Sequence, residues 1–380
     1  MRIVFWTNCV SPHQMPYISK LLDYLEVDDV IVAAETSISK DRRNQGWQEF
    51  SSKGIDIKIN PGNDEIEKLL SYSIENSWHL FSGISGFSFV RRALRKSLKY
   101  PLKRGVISEG PYTYFAGFGK GKPLCFHRLR FYLRDYKLSN YIHLFFAIGE
   151  QAIQYFGSLP IKWKVVPFSY CTNSACNFVP ITDTTKVNFI FTGSLSPRKS
   201  PISLVQALPD SSHCRLTIVG EGNERKRIEH YLKEQAPPIE VKFTGRKLIS
   251  EIPQIIAAQD VLVLPSIYDG WGAVINEALE NGCFVICSSA CGAKDLLRDS
   301  RLGMIFQAGD KNDLRRCMDY CVTHIETIRA DKAYRQQWAE RCISGKSIAR
   351  YMIDVLLEKD NVTPPWHLCK CIAGVKIAAL

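Results

Sequence analysis

The sequence predicts an α/β protein of two doubly wound parallel-sheet domains in tandem. Three observations predict it. Short apolar runs alternate with helix-period segments through both halves of the chain. The alternation lapses once, between Lys164 and Asp183, where small polar residues and prolines replace it. And 380 residues fit two domains at about 100–200 residues each. Strands that alternate with helices form parallel sheets covered on both faces. Two such domains facing one another place a ligand cleft between them, at the carboxyl ends of the strands.

In the first half, Ile3–Trp6 reads as a strand and Pro16–Leu25 as a helix, with Tyr17, Ile18, Leu21, Leu22 and Leu25 as its apolar positions. Val30–Ala33 and Ile55–Ile59 are strands, and Glu65–Ser73 a helix. Trp78–Phe81, Gly105–Ile107 and Ile142–Ile148 are further strands. The second half is cleaner. Strands are expected at Val187–Phe191, Leu216–Val219, Val241–Phe243, Val261–Leu264 and Phe284–Cys287. Helices are expected at Pro201–Leu208, Arg225–Gln235, Ser250–Gln259 and Val274–Asn281, with a polar helical stretch from Lys311 to Leu357. The expected organisation is a first domain over 1–168, a connection over 169–186, a second domain over 187–355 and a tail over 356–380 that returns to the first domain or touches membrane.

With 46% hydrophobic and 23% charged residues, the composition is that of a globular chain and argues against wholesale disorder. No apolar stretch is long enough for a transmembrane helix. The opening Ile3–Trp6 turns polar at Thr7-Asn8, too soon for the apolar core of a signal peptide. The 13 cysteines are scattered, odd in number and without zinc spacing, so they read as reduced, mostly buried cytoplasmic thiols. The net charge is +11, and its location matters more than its size. Residues 91–137 hold 13 Lys and Arg against two acids, Glu109 and Asp135; the rest of the chain holds 36 of each sign. Aromatic and aliphatic residues interleave with the second basic cluster, from Leu124 to Lys137. Such a segment fits an anionic membrane surface, a nucleic-acid backbone, or a solvated face over a core. No nucleic-acid-binding motif accompanies it.

Three turns carry chemistry. Phe191-Thr192-Gly193-Ser194-Leu195-Ser196-Pro197-Arg198-Lys199 stands where a strand gives way to a helix. Exposed backbone N–H groups at such a turn favour anions, and Arg198 and Lys199 add full charges, so the turn reads as a diphosphate grip. Val219-Gly220-Glu221-Gly222-Asn223 also follows a strand but lacks the dinucleotide fingerprint. Pro265 to Ala278 is the sharpest: Asp269-Gly270-Trp271-Gly272 in a strand–helix turn, with Glu277 eight positions beyond Asp269. A carboxylate there accepts hydrogen bonds from sugar or ribose hydroxyls. There is no Asp-x-Asp, so no carboxylate cage for a metal bound to a nucleotide sugar. Gly345-Lys346-Ser347 lacks the upstream glycine of a phosphate loop, because position 340 is Glu.

The stretches FTGSLSPRKSPISLVQAL from Phe191, LTIVGEGNERKRIEHYL from Leu216, Val241 through Gly292, and LGMIFQAGDKNDL from Leu302 resemble the nucleotide-binding domain of the retaining glycosyltransferases of family 4, glycosyltransferase group 1. The resemblance implies the GT-B fold: two Rossmann-like domains facing a central cleft. It implies that Asp269 and Glu277 form the paired-acid signature, the first contacting the donor sugar and the second the ribose. Asp stands where Glu is common. Lys199 fits the family lysine, while Ser194 replaces the usual Arg after Gly193, so Arg198 supplies that charge. The catalytic set is then Asp269, Arg198, Lys199 and a first-domain histidine, with His79 as candidate and His13 as a second cleft residue. The donor-binding set is Gly193, Arg198, Lys199, Gly220, Gly222, Asp269, Gly270, Trp271, Gly272 and Glu277. Glu109, after a strand, is placed to meet an acceptor.

The implied activity moves a sugar from a UDP- or GDP-type donor to a hydroxyl of a glycan or lipid-linked oligosaccharide, with retention and without metal or cofactor. Its setting would be surface polysaccharide or lipopolysaccharide synthesis, peripheral at the inner face of the cytoplasmic membrane, with no nucleic acid as partner. Two other readings stand beside it: a sugar-nucleotide epimerase or hydrolase of the same architecture, and a basic nucleic-acid-binding module without catalysis.

Overall fold

A computed structural model describes residues 1–38, 43, 49, 54–111, 122–173, 175–176 and 185–368. It divides into two compact units. One is Met1–Thr172 with Met352–Lys359, the other Asn173–Tyr351 with Asp360–Leu380.

In the first unit the apolar runs become seven parallel strands: β1 (Arg2–Cys9), β2 (Asp29–Thr36), β3 (Asp56–Ile59), β4 (Ser77–Ser82), β5 (Lys103–Glu109), β6 (Leu144–Ile148) and β7 (Lys164–Phe168). Their order is β3-β2-β1-β4-β5-β6-β7. The central strands are apolar on both faces because helices cover both. On one face Val4, Trp6, Phe81, Val106 and Phe145 pack against helices that include Ser88–Ser97 and Glu150–Gly157.

The second unit holds β8 (Val187–Thr192), β9 (Cys214–Val219), β10 (Glu240–Gly245), β11 (Val261–Leu264), β12 (Phe284–Ser288) and β13 (Gly303–Phe306), in the order β10-β9-β8-β11-β12-β13. Every pairing in both sheets is parallel. Each order reverses direction once, between β1 and β4 and between β8 and β11. There the connections leave on opposite faces and open a crevice at the carboxyl ends.

Three expectations need correction. Pro16–Leu25 is not one helix: Met15–Ile18 is a single α-turn and Leu21–Asp23 a 3₁₀ turn, with Leu25 fully exposed. Lys164–Phe168, where the strand–helix alternation was read as lapsing, is the edge strand β7. Pro167 lacks an N–H, and an edge strand with one unpaired side tolerates that. The cysteines are not all free. Among the described residues ten are thiols, most of them buried, but Cys342 is disulfide-bonded.

Within the tail, Trp366 and His367 both bond to Asp295, at 3.0 and 2.7 Å, inside the second unit. Residues 369–380 lie outside the described residues. Among the described residues no helix is long and apolar enough to cross a membrane.

Candidate functional site

The second unit's switch point brings two predicted turns together. The turn after β8 ends in Ser196–Ser200, and the turn after β11 runs from Pro265 to Gly272. The backbone N–H of Ile267 donates to the Arg198 carbonyl at 2.9 Å, which fixes one turn on the other. Lys199 Nζ then donates to Asp269 Oδ2 at 2.5 Å. Arg198 Nη1 lies 3.4 Å from Asp269 Oδ1 and donates to the Tyr268 carbonyl at 3.0 Å. The Lys199 and Asp269 side chains are mostly covered, at 13% and 12% exposure, while Arg198 at 42% still faces solvent. A covered ion pair of this geometry is costly to break from one side only.

Four loops are stitched edge to edge around this pair. Gly193 N donates to Val219 O, and Leu195 N to Glu221 O, each at 3.0 Å, so β8 and β9 continue to pair past their strand ends. Gly220 and Gly222 make that approach possible. A Cβ on Gly220 would stand 1.9 Å from the Gly193 carbonyl oxygen, and one on Gly222 2.2 Å from that of Leu195. Both glycines are therefore consumed by contact between loops. On the other side, Asp269 N donates to Ala290 O at 3.1 Å and Gly292 N to Asp269 O at 3.0 Å. A Cβ on Gly292 would meet the Gly270 carbonyl at 2.1 Å. The sequence reading missed this fourth turn, Ser288–Gly292; its signal was the glycine beside Cys291 just after a strand.

Trp271, expected at the donor, is 2% exposed. Its Nε1 donates to Asn276 Oδ1 at 2.8 Å, tying the turn to helix Val274–Glu280. Gly272, at φ +96°, lets the chain turn into that helix. Glu277 stands on the helix's first turn, half-buried. Burial, and then the nearby Glu280, push its carboxyl up to about 8, against a smaller opposite pull from Lys199. At neutral pH Glu277 is thus mostly a neutral acid that can donate as well as accept.

In the first unit, a cavity of about 320 Å³ opens at the β1/β4 switch point. Asn8, Ser11, Ser82, Glu109 and Tyr170 line it. Glu109 thus reaches the carboxyl edge of its sheet. His13 lies in the turn after β1, its carbonyl accepting from Cys171 N at 3.0 Å and its ring 5.8 Å from that of Tyr170. His79 lies elsewhere. It is the third residue of β4, with 0% exposure, and its Nδ1 accepts from Trp6 Nε1 at 3.1 Å. Burial, and then Arg2 and Arg104, push its imidazole down to about 3. The sequence placed His79 at a strand end facing a sugar; in its own unit it is a neutral core residue. Among the described residues no cluster of His, Cys, Asp and Glu could hold a metal ion.

Two doubly wound parallel sheets in one chain are the architecture of the GT-B class. The solved structure of Anabaena Alr3699/HepE in complex with UDP superposes with a TM-score of 0.66 at 16% identity, covering 94% of this chain and 100% of that one. At that identity the likeness establishes the fold. Residues 177–340, which contain the Lys199–Asp269 pair and Glu277, match the family model of glycosyl transferases group 1.

Among curated proteins, a GDP-mannose-dependent alpha-mannosyltransferase of Mycobacterium tuberculosis is 33% identical over 120 residues, 32% of this chain and 30% of that protein. The lipopolysaccharide core biosynthesis glycosyltransferase LpsE of Rhizobium meliloti is 28% identical over 149 residues, 39% and 41% of the two chains. The matches thus span well under half the length of these relatives.

Proposed function

We propose that this protein is a retaining glycosyltransferase of family 4 that moves a sugar from a nucleoside diphosphate donor to a hydroxyl of a glycan or lipid-linked oligosaccharide. The observation that carries the reading is the Lys199–Asp269 pair with Arg198 beside it, at a switch point and inside the stretch that matches the family model. As the bond between the anomeric carbon and the diphosphate breaks, positive charge grows on the sugar ring and negative charge on the leaving diphosphate. Arg198 and Lys199 stabilise the second. Asp269 holds the sugar hydroxyls and keeps Lys199 in place before the diphosphate arrives. Glu277, protonated near neutrality, hydrogen-bonds the ribose.

The acceptor binds in the first unit's crevice, beside Glu109 and Asn8. His79 takes no part, because it has no exposed surface. We further propose that the reaction needs no metal and that the acceptor belongs to surface polysaccharide or lipopolysaccharide synthesis at the inner face of the cytoplasmic membrane. Relatives such as LpsE support that setting. So does helix Leu124–Arg134, whose outward residues Phe126, Leu129 and Leu133 are 38%, 58% and 77% exposed on a helix that also carries Arg128, Arg130 and Arg134. An apolar stripe flanked by arginines suits an anionic bilayer surface.

The test is calorimetric titration with UDP-, GDP-, ADP- and CMP-sugars, followed by NMR of the product linkage. One nucleotide class should bind saturably, and the Arg198→Ala/Lys199→Ala variant should lose it. Full donor affinity and turnover in that variant would defeat the grip assignment, and an inverted anomer would defeat retention.

A further inference from the structure

Helix Ser88–Ser97 buries Phe89, Val90, Ala93 and Leu94 against the first unit's sheet. Its other face is set by the same period: Ser88, Arg91, Arg92 and Arg95 recur at i, i+3, i+4 and i+7. Like charges at that spacing repel along a helix. A fourth arginine, Arg134, joins them from the end of helix Leu124–Arg134. Together with Lys96 they line a cavity of about 530 Å³.

None of the acids nearby is among the residues that line the cavity. Glu67 takes Lys96, Lys99 and the Tyr100 hydroxyl, at 2.8, 3.3 and 2.9 Å. Glu35, at the rim, accepts from Ser88 Oγ at 3.1 Å. Arg134 donates to the Ser85 carbonyl at 3.4 Å, and the Arg92 guanidinium lies 5.6 Å from the centre of the Phe89 ring. Arg91 Nε is buried and has no hydrogen-bond partner among the described residues. Four guanidinium groups converging without a carboxylate, one with a covered donor left over, form a receptor short of its anion. Guanidinium forks match the paired oxygens of phosphate.

We propose that this cavity binds a terminal phosphate, as a phosphomonoester or diphosphate, held by Arg91, Arg95 and Arg134. The pocket does not depend on the sugar-transfer reading. That the phosphate is carried by a lipid does rest on the membrane reading, because the exposed stripe of helix Leu124–Arg134 lies on the element that supplies Arg134.

The experiment uses the full chain carrying Arg198→Ala/Lys199→Ala, so that the proposed donor grip contributes nothing. Inorganic pyrophosphate is titrated at fixed ionic strength. Saturable binding is expected, weakened at least tenfold by Arg91→Gln/Arg95→Gln and unchanged by Lys68→Gln/Lys162→Gln, which removes equal charge outside the cavity. In the second arm, phosphatidylcholine vesicles carry either phosphatidic acid, with a terminal phosphomonoester, or phosphatidylglycerol, with a diester, at matched surface charge. A preference for phosphatidic acid that disappears with Arg91→Gln/Arg95→Gln identifies a lipid-borne phosphate. Pyrophosphate binding without that preference keeps the pocket and overturns the lipid source. Equal losses from both double variants, or no saturable pyrophosphate binding with unaltered circular dichroism, would overturn the pocket.

Discussion

The two sheets share one strand order around their switch points, yet they fill their crevices differently. In the second unit the crevice holds Arg198, Lys199 and Asp269, and neighbouring loops pair backbone to backbone where Gly220, Gly222 and Gly292 leave no room for a Cβ. In the first unit it is a cavity of about 320 Å³ where polar residues such as Asn8 and Ser82 alternate with apolar ones such as Phe87 and Ile107, with one acid, Glu109. The difference teaches where rigidity is needed. Opposite charges within hydrogen-bond distance act on a substrate only if the backbone beneath them is fixed, because a misplaced charge loses most of its electrostatic effect. The first unit's cavity includes no Lys or Arg among its lining residues to be held against Glu109.

The largest effect should come from breaking the charged pair. Asp269→Asn is expected to lower kcat/KM for sugar transfer by about 100-fold or more. It removes the proposed sugar contact and leaves Lys199 without its counter-charge. Asp269→Glu, which restores the commoner acid, should retain far more activity than Asp269→Asn. Steady-state assays with the donor identified by titration measure both. Equal activity of the two variants would show that the carboxylate does not act.

The second effect tests the stitching. Gly220→Ala or Gly222→Ala forces a methyl into a carbonyl oxygen of the neighbouring loop. The expected cost is about 1–3 kcal/mol in urea unfolding. Gly86→Ala, in the first unit, has nothing within 4 Å of the added Cβ and should be close to neutral. If all three are equally tolerated, the loops are not held by these contacts.

The same contrast explains what could be read from the sequence. The second unit was legible because its functional turns follow strands directly and are built from glycines and charges whose positions admit few alternatives. Even so, the reason for Gly220 and Gly222 was not visible: only the register of β8 against β9 shows that they face carbonyl oxygens. Trp271 beside Asp269 read as a ligand contact, and only burial shows it as a wedge under the turn. The first unit was less legible. His79 falls in an apolar run, Trp78 to Phe81, that locates the strand but not how deeply the histidine is covered. Pro167 hid the edge strand β7, since a proline reads as a breaker unless one knows that one side of the strand is unpaired. The arginine cavity needs two helices far apart in sequence, and no local pattern announces that Arg134 meets Arg91.

A smaller effect sharpens the assignment of Trp271. Trp271→Phe keeps the ring but loses the 2.8 Å bond to Asn276. The expected loss is about 1 kcal/mol of stability, with little change in donor affinity. Calorimetry and urea unfolding on the same variant separate the roles. A large loss of donor affinity at unchanged stability would return Trp271 to the ligand-binding surface.

The last effect is a pH dependence of stability carried by Glu277. Its carboxyl titrates near 8 in the folded chain, raised by burial and then by Glu280, against about 4.3 in an unfolded one. Between those values the folded chain holds a proton that the unfolded chain has released. Its contribution to stability is therefore complete below about pH 4.3 and is lost as pH rises through 8. Glu277→Gln is permanently neutral and keeps the shape, so its stability should fall less than that of the wild type between about pH 5 and 8. Urea unfolding of both proteins across that range measures the difference. Parallel curves would mean that Glu277 is already ionised at neutrality, and its proposed hydrogen bond to ribose would then be that of an acceptor alone.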